Sequence, residues 1–158
     1  MQMLDRFAAV IAAGTEHLNA VSARDAEGRA TPNVWSRKEE LGHLIDSAIN
    51  NYARVIRVQQ ETNPLLPGYE QDVWVERQGY QDRDWKELIA LWSTLNAHML
   101  HAARRAPTAA FARNCTIGDG PVITLGFVIE DYVDHVVHHL EHIGIAMREF
   151  RRAESAYA

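Results

Sequence analysis

This sequence predicts an all-α fold, a four-helix bundle made by one domain over residues 1–158, and three observations carry the reading. Four stretches repeat apolar residues at helical spacing. Two of them open on residue patterns that cap helices. The middle pair is separated by a connection of about twenty residues, long enough to cross the whole bundle so that the second and third helices run parallel.

The first helix is predicted from about residue 4 to residue 23, with Leu4, Phe7, Ile11, Leu18 and Val21 near helical spacing. It gives way to a polar stretch over residues 25–33. The second helix opens at Ser36, whose hydroxyl can take the amide of Glu39 while Glu39 reaches back, and it continues to about Glu61, where Asn63-Pro64 stops it. The crossover over residues 62–83 carries Pro64, Pro67, Gly68 and Gly79 and reads as a loop. Asp84, with Glu87 three residues on, opens the third helix, which ends before Pro107. Residues 107–120 read as a loop with a short hairpin around residues 111–117, and the fourth helix runs from residues 121–124 to about Arg152.

Composition excludes several classes. A chain of 158 residues buries roughly two thirds of its unfolded surface, so an apolar core needs no covalent staple. With 47% hydrophobic and 23% charged residues it is neither disordered nor a membrane protein. A net charge of −5 without a basic stripe speaks against nucleic acid. The apolar run over residues 7–14 is far shorter than the ~20 residues of a membrane span and reads as the buried face of the first helix, so a soluble, uncleaved chain is expected. Cys115 is the only cysteine, which excludes an internal disulfide and suits a reducing cytoplasm; no partner base lies near it in sequence.

The chemistry concentrates in histidine. Of eight histidines, four fall on the fourth helix at positions 135, 138, 139 and 142. At 100° per residue, His139, His138 and His142 sit at about +40°, −60° and −20° from His135, all on one face, while Val136, Val137, Leu140 and Met147 take the opposite face. Residues at i and i+4 can grip one ion, so spacing offers two pairs, His135/His139 and His138/His142, and does not choose between them. A third ligand is sought on the second helix, where His43, Asp46, Asn50 and Arg54 form a polar stripe beside Leu41, Leu44, Ile45 and Ile49.

The motifs Trp35-Ser36-x-x-Glu39-x-x-Gly42-His43-Leu44-x-Asp46-Ser47, then Arg54, and the run from Asp134 to Ile143 resemble the DinB/YfiT-like metalloenzyme superfamily, as does Pro67-Gly68-Tyr69-x-x-Asp72-x-Trp74 in the crossover. The resemblance implies an up-down-down-up bundle and one divalent metal held by His43, His135 and His139, leaving His138 and His142 outside the ligand set. Zinc is the default ion, with nickel, iron(II) and manganese as alternatives. Characterised relatives include bacillithiol S-transferases and mycothiol-dependent maleylpyruvate isomerases, so the resemblance implies a low-molecular-weight thiol and an electrophilic small molecule as partners. Arg54 is expected to hold a carboxylate or else pair with Asp46 or another buried acid, Asp46 or Glu39 to orient His43, and Tyr69, Asp72 and Trp74 to line the mouth of the site or seal the bundle end.

Three functions follow. The leading one is a metal-dependent transferase that activates a thiol. The second is a hydrolase that activates water, for which Glu141 or Asp131 is the nearest general base. The third is a non-catalytic, metal-stabilised binding or stress-response module, with a homodimer as one arrangement and a fourth protein ligand from His138, His142 or Asp46 as its sign.

Overall fold

In the computed structural model, which describes residues 2–31 and 34–152, both expected caps form. The Ser36 hydroxyl accepts from the Glu39 amide at 3.2 Å and the Glu39 carboxylate accepts from the Ser36 amide at 2.8 Å, opening the longest helix. Asp84 likewise accepts from the Glu87 amide at 3.0 Å. In chain order the helices are α1 (Gln2–Ala20), α2 (Ala23–Glu27), α3 (Arg37–Gln60), α4 (Gln71–Gln78), α5 (Trp85–Arg105) and α6 (Leu125–His142).

The four long helices pack in a ring. α1 and α3 each lie against α5 and α6, which puts α1 and α3 on a diagonal. On α1 the inward face is a narrow apolar stripe of Phe7, Val10, Ile11, Gly14 and Leu18, whereas α3 buries Glu40, His43 and Asp46 beside its apolar residues. Trp92 of α5 and Leu140 of α6 fill the centre, and burying each such side chain contributes about 1.5–3 kcal/mol. At one end of the ring the Trp85 indole donates to the Val21 carbonyl, Lys38 to the Gln81 carbonyl, and Arg37 to the Ile143 carbonyl. That end therefore gathers the start of α3, the start of α5 and the finishes of α1 and α6.

The fold is mostly helical, with one correction to the all-α reading: a small three-stranded sheet. Strand β1 (Leu65–Leu66) of the crossover runs parallel to β2 (Asn114–Ile117), which pairs antiparallel with β3 (Val122–Thr124). The sheet supplies partners for backbone groups of two segments that make no long helix. The hairpin thus occupies residues 114–124, later than expected, with Gly118 at φ 55° in its turn. Two further stretches read as loop are partly helical. Ser22 caps α2 inside the polar stretch, whose final residue Asn33 lies outside the described residues, and α4 lies within the crossover and stops at Gly79, φ 61°.

The fourth long helix also ends sooner than expected, at His142 and not near Arg152. Gly144 takes φ 84°; its amide donates to the Glu141 carbonyl and the Ile145 amide to the Leu140 carbonyl, which closes a helix C-terminus in a left-handed turn. Asp134 then binds Arg6 at 2.6 Å and Arg152 at 2.5 Å, pinning the following segment across α1 and α6.

Candidate metal centre

One residue of α3 and two of α6 meet in the interior. Candidate ligand atoms of His43, His135 and His139 all lie within 4.8 Å of one another. The Nε2 atoms of His43 and His135 are 3.1 Å apart, and the His139 ring is centred 4.5 Å from His43 and 4.3 Å from His135. Of the two pairs the spacing allowed, His135/His139 faces His43. The group comprises three side chains; Asp46, His138 and His142 stand outside it. His138 packs edge-on against His139 and stacks on His142.

The surroundings favour the neutral form of two of these rings, His43 and His135. Burial, with His139 beside it, pushes the His43 pKa down to about 4, and burial, with His139, His43 and His138 nearby, holds His135 well below the usual histidine range. Trp35 covers His43 at 5.3 Å between ring centres, and the buried His43 Nδ1 has no hydrogen-bond partner. Imidazoles grouped this closely, with nitrogens converging, form a donor set that fits a divalent cation. In the metal-free protein the rings make a pH-dependent contribution. The folded pKa of His43, about 4, lies below its unfolded value near 6.5, so between these the unfolded chain binds more protons. Stability is then complete above about pH 6.5 and falls as the pH drops toward 4. Urea unfolding of metal-free protein at pH 7 and pH 5 should show this loss, smaller in His43→Gln than in wild type; equal losses would refute it.

The acceptor that holds the cluster is one the sequence reading missed. Glu40, 2% exposed, accepts through one carboxylate oxygen from His139 Nδ1 at 2.6 Å and from His142 Nδ1 at 2.8 Å. Burial alone would raise its pKa; the hydrogen bonds and charges of the two rings outweigh this and hold it below the usual range. The two acceptors expected for His43 are engaged elsewhere. Glu39 closes the cap and binds Arg29, while Asp46 accepts from the Tyr80 hydroxyl at 2.6 Å and from the Gln78 amide. Glu40 fixes the tautomer and direction of His139, as carboxylates do behind metal-binding histidines. Glu40→Gln should therefore weaken the tightest metal-binding event about 10- to 100-fold in a competition titration, without abolishing it.

A cavity of about 220 Å³ opens from His43 and His135 and is lined by Ser47, Asn51, Arg54, Tyr69 and Asp131 among others. Arg54 donates to the Asn51 side chain at 3.3 Å and to the Pro67 carbonyl at 3.1 Å. The expected ion pair with Asp46 does not form, because Asp46 faces Tyr80. Asp131, one turn before His135, has its pKa raised by burial and by nearby Asp134. Tyr69 lines the cavity, but Trp74 does not: it packs behind Tyr69 at 5.0 Å and lines a separate groove with Ile49 and Val73. Glu141 is bound to Arg151, and Cys115 is buried in β2.

Comparisons with known proteins agree on the family. The sequence model of the DinB superfamily matches residues 6–143. The chain is similar to "Putative metal-dependent hydrolase BH0277" of Halalkalibacterium halodurans, 25% identical over 115 residues covering 73% of this chain and 67% of that protein. It is also similar to "Putative metal-dependent hydrolase YfiT" of Bacillus subtilis, 28% identical over 110 residues covering 69% of this chain. The match spans 62% of that second relative, so the chain accounts for about two thirds of these proteins or slightly less. Among solved structures, YfiT from Bacillus subtilis, described as having an unusual four-helix bundle topology, superposes with a TM-score of 0.81 at 23% identity, over 94% of this chain and 83% of that one. A mycothiol-dependent maleylpyruvate isomerase superposes with a TM-score of 0.77 at 14% identity, over 92% and 60%. At these identities the structural likeness is one of fold.

Proposed function

The chain belongs to the DinB superfamily, and from that premise we propose that it is a metal-dependent transferase that joins a low-molecular-weight thiol to a small electrophile bearing a carboxylate. The observation that carries the proposal is the convergence of three imidazoles, two of which, His43 and His135, line a cavity that also contains Arg54, a cation in ion-pair contact with no carboxylate among the described residues. The meeting of helix ends described above supports an up-down-down-up order, which lets α3 and α6 face each other with His43 opposite His135.

His43, His135 and His139 would hold the ion, zinc by default, with nickel, iron(II) or manganese suited to the same donors. A divalent cation there supplies Lewis-acid activation, lowering the pKa of a thiol or water brought beside it. The chain's own groups do the rest. Arg54 presents a planar guanidinium that binds a carboxylate through two parallel hydrogen bonds, fixing the electrophile in the cavity. Asp131, with its raised pKa, takes the proton the nucleophile releases. Trp35 closes the back of His43 to water, and Trp74 backs the Tyr69 wall.

The same cavity supports a second reading, hydrolysis, because Asp131 is also placed to serve as the general base for water. Zinc-loaded protein offered an epoxide, a halide or an activated double bond, with and without cysteine-derived thiols, separates the two. Thiol-dependent turnover is expected. Turnover of esters or amides without thiol would establish the hydrolase instead, and zinc binding with neither activity would leave a binding module. In the active reaction Arg54→Ala should raise KM for a carboxylate substrate about 10- to 100-fold, the worth of a charge-assisted hydrogen bond, with little change for its neutral methyl ester.

A further inference from the structure

On the outer side of the histidine cluster a second set of ligand atoms converges. Candidate atoms of Glu40, His139 and His142 also lie within 4.8 Å of one another, and one oxygen of Glu40 sits 2.6 Å and 2.8 Å from the Nδ1 atoms of the two rings. His139 belongs to both sets through different nitrogens: its Nδ1 faces Glu40, which leaves Nε2 for His43 and His135. Glu40 and His142 line a separate cavity of about 390 Å³, together with Asp25, Trp35 and Arg37. The His142 side chain is 60% exposed, so an ion reaches this set from solvent without passing the inner cavity. Two imidazoles and a carboxylate make a donor set of the kind that holds zinc and related divalent ions with positions left open.

We infer that Glu40, His139 and His142 form a second divalent-cation site that shares His139 with the inner cluster and binds more weakly than it. Two physical reasons make it weaker. An exposed His142 must be ordered on binding, and two dications flanking one imidazole repel each other. Occupying it replaces the two hydrogen bonds at Glu40: the His142 proton moves to its Nε2, and with both sites filled His139 releases its Nδ1 proton to solvent and bridges the two ions as an imidazolate, which weakens the second event further.

The test is a zinc titration of metal-free protein, with bound zinc measured by equilibrium dialysis and mass spectrometry. Wild type should take two equivalents, the second at least about tenfold weaker than the first. His142→Ala should lose the second alone, His43→Ala the first alone, and His138→Ala neither. Saturation at one equivalent under excess zinc would overturn the inference. So would a second equivalent that survives His142→Ala, which would place it on another surface such as His98 and His101. Loss in His138→Ala would overturn it too, in favour of the pair His138 and His142. The inference rests on the proposed inner cluster only through His139. Uptake that is lost in His142→Ala but unaffected by His43→Ala would refute the inner site and leave the outer one standing.

Discussion

Alanine at His43, His135 or His139 should abolish the first, tight event of a zinc titration, whereas alanine at His98 should leave that event intact. The expectation follows from the donor count. Three nitrogens within 4.8 Å define the site, and each deletion leaves two, with no fourth side chain in the group to replace the loss. Loss of a ligand should exceed the effect of a residue behind a ligand, so affinity should fall on the order of a hundredfold or more. The three variants differ in stability in an informative way. His139→Ala takes from buried Glu40 one of its two ring donors, costing about 1–3 kcal/mol beyond the lost packing, whereas His43→Ala loses the Nε2 contact with His135 but leaves no buried carboxylate short of a donor. Denaturant unfolding of metal-free protein should therefore rank His139→Ala below His43→Ala. A first, tight binding event unchanged in His43→Ala would refute the inner cluster; equal stabilities would refute the anchoring role of Glu40.

What the sequence made legible was whatever depends on local chemistry. Ser36 with Glu39 and Asp84 with Glu87 read as helix starts because capping needs only residues three apart, and both caps form. The one-face grouping of His135 and His139 followed from helical geometry, and the resemblance selected that pair over His138/His142. What stayed hidden depends on neighbours distant in sequence. Strands of two to four residues carry too little pattern to be seen, and β1 exists only because β2 lies beside it. The amphipathic signature of α4 is weak, with Val75 its one buried residue. Glu40 carries no signal of its own beyond standing three residues before His43 and so near its face; only the approach of α6 shows that it faces His139 and His142. One error was avoidable, since Gly144 just after His142 is a standard signal for a helix end.

Gly42→Ala should be the most damaging single-methyl change in the chain, and it touches no ligand. A Cβ at Gly42 would come within 3.0 Å of three ring carbons of Tyr80. That ring cannot yield easily: it is 4% exposed, its hydroxyl is held by Asp46 at 2.6 Å, and the next residue, Gln81, is tied to both Ser36 and Lys38. Two effects oppose each other. Alanine gains about 1 kcal/mol of intrinsic helix propensity over glycine. Against this, overpacking typically costs about 1–3 kcal/mol, and detaching Tyr80 from buried Asp46 adds about 1–3 kcal/mol more. The clash wins, for a net loss of about 1–5 kcal/mol and a fall in Tm of roughly 2–20 °C for a domain of this size. Gly68→Ala supplies the contrast, because no atom lies within 4 Å of a Cβ there and its effect should stay within about 1 kcal/mol. In a Tyr80→Ala background, Gly42→Ala should become nearly neutral or stabilising, since the ring that opposes it is gone. A Tm for Gly42→Ala equal to wild type would mean that α3 and the Tyr80 turn do not approach this closely. Because Gly42 precedes His43 in α3, that approach also sets where His43 stands, so the variant should lose metal affinity with all three ligands present.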